Sequence, residues 1–116
     1  MNNKVTVTEI VDAVDASLVY QGDYDYVSGI VASGLMSEVL ASDEEEILLV
    51  SNLTTTQLVR TADMVGAHAI LITNGRAVTE DILDLAKDLS ITILKTKYTL
   101  FESCYRLGRI FYEIIE

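Results

Sequence analysis

Apolar residues follow two rhythms along this chain. Ile47-Leu48-Leu49-Val50, Ala69-Ile70-Leu71-Ile72 and Ile91-Thr92-Ile93-Leu94 are short, nearly unbroken apolar runs bounded by polar turns. Runs of that length read as strands buried on both faces. Between them the apolar residues recur every three or four positions, at Leu58, Val59, Ala62 and Val65, and again at Ile82, Leu85, Ala86 and Leu89. That spacing predicts helices, the first closed by Gly66 and the second starting at Thr79. Strand–helix units joined by short loops imply parallel pairing through crossovers.

The first half is less regular. Thr6 and Glu9 form a capping-box pattern, and Val7, Ile10, Val11 and Val14 continue it as a helix to about Asp15. Ser17 to Tyr20 reads as a strand, residues 21–25 as a turn, and Tyr26 to Ala32 as a second strand broken by Gly29. Adjacent in sequence, the two are expected to form an antiparallel hairpin. A turn at Ser33-Gly34 then leads into a short helix, Leu35 to Leu40, with positions 35, 36, 39 and 40 facing inward.

The last helix starts with a capping box from Thr99 to Glu102. Glu102, Arg106, Arg109, Glu113 and Glu116 fall in one narrow polar stripe. Leu100, Cys104, Leu107, Phe111 and Ile114 form one apolar row, and Phe101, Tyr105, Gly108, Tyr112 and Ile115 a second. One row suffices to pack on a sheet, so a helix apolar over most of its circumference needs a second covering surface. A homodimer contact through Phe101, Tyr105, Gly108, Tyr112 and Ile115 is expected; the alternatives are cover by the hairpin half or a row left at the surface.

Composition narrows the function. At 116 residues a single domain spanning 1–116 is expected. A formal charge of -10 and a pI near 4.3 oppose binding to nucleic acid or to an anionic membrane. Cys104 is the only cysteine, which excludes an internal disulfide and a multi-cysteine metal site and suits a reducing cytoplasm. No stretch approaches the roughly 18 apolar residues of a membrane span, and no signal-type segment opens the chain.

Four places in the chain resemble the DRTGG domain family. They are Val27 to Ser37, a glycine-marked strand entering a Met-Ser helix start; the strand 47–50 with its polar turn; Leu71-Ile72-Thr73-Asn74-Gly75; and Leu94 to Phe101. The departures are in the motif itself. Where the family carries Asp-Arg this chain has Ser51-Asn52-Leu53-Thr54, and Thr-Gly-Gly has become Thr73-Asn74-Gly75. The resemblance covers nearly the whole chain. It implies an α/β layered domain with a mixed, mainly parallel sheet and flanking helices, similar to the amino-terminal domain of HPr kinase/phosphorylase. It also implies an accessory module that accompanies catalytic or regulatory partners.

The turns Ser51–Thr55 and Thr73–Arg76 are expected at one edge of the sheet, where the loops after parallel strands are the usual ligand position. Helix N-termini there suit a phosphate or carboxylate. Candidate ligand-binding residues are therefore Ser51, Asn52, Thr54, Thr73, Asn74, Gly75 and Arg76, with Arg60 and Ser33-Gly34 as possible additions. Ordinary turn chemistry explains the same residues: a threonine as helix cap, and Asn74-Gly75 for positive φ. His68 lacks a Ser, Cys or metal partner at fixed spacing and reads as structural; Cys104 reads as a packed thiol, and Asp43 to Glu46 as a solvated loop. Tyr20, Tyr24 and Tyr26 fit either cross-strand packing or a contact surface. There is no G-x-x-x-x-G-K-[ST] and no G-x-S-x-G, so neither the kinase activity of HPr kinase nor hydrolase chemistry is implied. No metal, cofactor or catalytic residue is expected. The expected function is a non-catalytic regulatory or interaction module that dimerises and acts on a partner protein. The alternative is a sensor that binds a nucleotide or phosphorylated metabolite at the strand-end turns.

Overall fold

The structure, a computed structural model, describes residues 4–111. A five-stranded sheet runs through it in the order β2 (Ser17–Tyr20), β7 (Thr92–Lys95), β6 (Ala69–Ile72), β5 (Ile47–Ser51), β4 (Gly29–Ala32). β4, β5, β6 and β7 are parallel, and β2 lies antiparallel against β7. The mixed, mainly parallel α/β class expected from the sequence is the one observed.

Alternate residues of the buried strands feed two cores. Leu48, Val50, Ala69, Leu71 and Leu94 face α1 (Val7–Val14) and α5 (Leu100–Phe111). Ile47, Leu49, Ile70, Ile72 and Ile93 face α2 (Met36–Leu40), α3 (Thr56–Met64) and α4 (Glu80–Leu89). Both faces are thus dry, which is why the central strands carry no polar alternation. Local signals act where they were read. Thr6 caps α1 in a complete capping box with Glu9, Thr79 accepts from the Ile82 N–H at the start of α4, and Gly66 follows α3 at φ 72°.

Two expectations are corrected. The hairpin between Ser17–Tyr20 and Tyr26–Ala32 does not form. β2 covers the edge of β7, β4 covers the edge of β5, and the intervening β3 (Tyr26–Val27) pairs with β1 (Val5–Thr6) in a separate ribbon. The break falls at Ser28, whose N–H and hydroxyl both donate to Glu46. The outer edges of β5 and β7 carry backbone groups that need partners, and this demand outweighs pairing between sequence neighbours. In α2, only Val39 is fully buried; Leu35 and Leu40 are 60% and 46% exposed. A five-residue helix offers barely more than one turn to the sheet, so it cannot bury four apolar positions at once.

Candidate functional site

Because four strands are parallel, their carboxyl ends open on one edge and bring together the loops after Ala32, Ser51, Ile72 and Lys95. The expected turns meet there. A Cβ added to Gly34 would lie 3.9 Å from Asn52 Oδ1, and the Thr73 N–H donates to the Ser51 carbonyl at 3.0 Å.

Most polar atoms of these turns already have partners within the chain. Ser51 Oγ accepts from the Leu53 N–H. Thr73 Oγ1 donates to Asn74 Oδ1 at 2.6 Å, and the same Oδ1 accepts from the Leu100 N–H at 3.1 Å. The Asn74 and Gly75 N–H groups donate to the carbonyls of Tyr98 and Thr96. Thr73-Asn74-Gly75 therefore acts as a clasp that ties β6 to the loop before α5 and helps cap that helix. Asn74 and Gly75 both sit at φ 65°, which asparagine and glycine tolerate better than other residues. Asn74→Ala is expected to cost about 2 kcal/mol, from the lost cap and the left-handed backbone together. Chemical denaturation measures this, and a change within about 0.5 kcal/mol, typical of neutral surface changes, would contradict the clasp. Thr54 is half-buried, and Arg76 and Arg60 are exposed.

A cleft of about 370 Å³ opens on the β2 side of the same edge. Gly75 lines it, together with Asp15, Ser17, Lys95, Lys97 and Tyr98; Ser51, Asn52, Thr54, Thr73, Asn74 and Arg76 do not. Thr96, between the two lysines, is buried and donates through Oγ1 to the Val14 carbonyl at 2.7 Å. That anchor fixes the Lys-x-Lys segment against the end of α1. The sequence reading missed both lysines, although alternation about a buried threonine at the end of a strand was the available signal.

On α5, Ser103, Leu107 and Phe111 are buried against the sheet side. Phe101 is 81% exposed and Tyr105 60%. A Cβ added to Gly108 would meet nothing within 4 Å. The outer row is thus two projecting rings with an open notch seven residues beyond the first, while Tyr112 and Ile115 lie outside the described residues. Cys104 lies between the rows, half-buried, and desolvation raises its thiol pKa. Arg106 donates through Nε to Glu102 Oε2 at 2.8 Å and lies 4.4 Å above the Tyr98 ring. This is the only ion pair among the described residues.

The remaining candidates sit in packed or solvated surroundings. His68 is buried, its Nδ1 2.8 Å from the Tyr26 carbonyl, its ring stacked on Tyr24 at 3.8 Å and met edge-on by Tyr26 at 5.1 Å. The tyrosines of that loop thus pack around the histidine. Asp43, Glu44 and Glu45 are exposed, and no group able to hold a metal ion occurs among the described residues. No helix among them is long and apolar enough to cross a membrane.

No protein-family model matches the chain, and no curated protein matches it. Among solved structures, it is similar to the CBS and DRTGG domains of the regulatory region of Clostridium perfringens pyrophosphatase, complexed with the activator diadenosine tetraphosphate. The TM-score is 0.75 at 16% identity, over 96% of this chain and 50% of that one. The chain thus spans half the length of the structure it matches, and at this identity the likeness is one of fold.

Proposed function

We propose that this chain is a regulatory module of the DRTGG type, with an altered motif, that forms a homodimer through the outer row of α5 and acts on a partner protein. The observation that carries the dimer is Gly108. Glycine inside a helix costs about 1 kcal/mol relative to alanine. Nothing among the described residues calls for it, since an added Cβ there meets no atom of theirs within 4 Å. A second helix crossing at that notch gives it a reason. Phe101 and Gly108 lie seven residues, or about 10 Å, apart on one face. An antiparallel pair about a twofold axis would seat Phe101 of each copy over Gly108 of the other, with the tyrosines at the centre. Such isologous contacts are the commonest kind in soluble oligomers.

The size is adequate for a modest affinity. Four aromatic rings, at roughly 150–250 Å² each and 81% or 60% exposed in the monomer, supply roughly 400–700 Å² of the ~1,200 Å² buried by a small specific interface. The regulatory reading is supported by the fold shared with a domain from an enzyme's regulatory region. On this reading the chain is not itself an enzyme and works in the cytoplasm. Native mass spectrometry over a micromolar concentration series should give twice the 12.8 kDa chain mass. A 12.8 kDa species throughout that series would refute the dimer.

A further inference from the structure

We infer that the cleft beside Gly75 is a binding site for a nucleoside phosphate, held through Lys95 and Lys97. The inference is independent of the dimer, which uses the outer row of α5.

Charge is the first reason. The chain has 8 lysines and arginines against 18 acidic residues, yet two of those cations line one cleft two residues apart. Neither makes an ion pair among the described residues. Lys95 ends β7 opposite Ser17 of β2, so its backbone is fixed by strand pairing. Lys97 follows the buried Thr96, which is tied to α1 through Val14 and to the β6 turn through the Gly75 N–H. Two ammonium groups without a carboxylate partner among the described residues, on an anchored backbone, suit an anion with several acceptor oxygens, because charge-assisted hydrogen bonds are about twice as strong as neutral ones.

Size and lining extend the assignment beyond a bare phosphate. A volume of about 370 Å³ falls within the range of small-molecule sites and exceeds what one phosphate group fills. Asp15 and Ser17 stand in the same cleft as the lysines and accept hydrogen bonds from hydroxyl or amino groups. Tyr98 adds an aromatic wall, its ring already carrying the Arg106 guanidinium. A ligand with an anionic end, a hydroxyl-bearing middle and a flat ring satisfies all three kinds of wall. Asp15 also limits the affinity, since it opposes the anion directly, and the overall negative charge opposes it at a distance.

The test is a titration of the full chain with ADP, followed by amide NMR shifts, with pyrophosphate as a second probe. ADP should shift the amides of Ser17, Gly75 and Lys95 to Tyr98, and should bind more tightly than pyrophosphate. The double variant Lys95→Gln and Lys97→Gln should weaken ADP at least about tenfold. Lys87→Gln, which removes an exposed cation on α4, should leave the affinity within twofold or so. Pyrophosphate binding as tightly as ADP would overturn the nucleoside part of the assignment. No shift at these amides with either probe, or an unchanged ADP affinity in the double variant, would overturn the site.

Discussion

Gly108→Leu should abolish the proposed dimer and at the same time make the monomer harder to unfold. The two effects have separate origins. In the isolated chain a Cβ at 108 meets nothing within 4 Å among the described residues, and leucine is a far better helix former than glycine, by about 0.5–1 kcal/mol. In the dimer the same side chain would occupy the notch that receives Phe101 of the second copy. Overfilling a packed contact typically costs about 1–3 kcal/mol, and the twofold axis applies that cost twice. Together the two clashes cost about 2–6 kcal/mol, which weakens the association by about 30-fold or more. At concentrations where both proteins are monomeric, the variant should melt higher than the wild type. At higher concentration only the wild-type melting temperature should keep rising, because association stabilises it by mass action. A variant that stays dimeric would show that the notch is not the contact. Phe101→Asp should also dissociate the pair, with little change in the monomer, since that ring is mostly in solvent already.

Gly22→Ala should be among the most destabilising single substitutions in the chain. Gly22 lies in the loop after β2, where glycine in a turn would ordinarily be read as a source of backbone freedom. Its role is instead close approach. An added Cβ would collide with the Ser90 carbonyl oxygen and fall 2.9 Å from the Ile91 carbonyl carbon. Both obstacles are backbone, so no rotamer change relieves them. The loop is held in place by the Gly22 N–H donating to Thr92 Oγ1 at 2.9 Å and the Asp23 N–H donating to the Ser90 carbonyl at 3.1 Å. One methyl group must therefore break these bonds or displace the segment entering β7. The expected cost is about 3 kcal/mol or more, read from the denaturant midpoint. A loss below about 1 kcal/mol would mean that the loop moves aside freely.

The second half of the fold was legible in the sequence because each element there is specified locally. Apolar runs such as 69–72, the Thr79 cap and the glycine after α3 decide their own structure, and parallel order follows from strand–helix alternation. The first half was harder because its strands find partners far along the chain. Tyr26 to Ala32 reads as one strand, but its two halves serve different sheets, and nothing local says that β2 will pair with β7. At the carboxyl edge, the meeting of the polar turns was readable from topology. The clasp was not, because Asn74 Oδ1 caps a helix 26 residues away. Lys95 and Lys97 escaped notice for a related reason: they belong to a cleft only once β2 and the Gly75 turn stand beside them. On α5, periodicity located the outer row, and the exposed Phe101 and Tyr105 agree with it.

Disulfide trapping tests the proposed α5 contact most directly. Tyr105→Cys in a Cys104→Ser background places the only thiol beside the proposed twofold axis. Two cysteines can be bridged only when their Cα atoms approach within about 7 Å. Under mild oxidation this variant should form a covalent dimer rapidly, and much faster than Arg60→Cys in the same background, whose thiol lies exposed on α3. Equal, slow cross-linking of the two variants would contradict antiparallel pairing through α5.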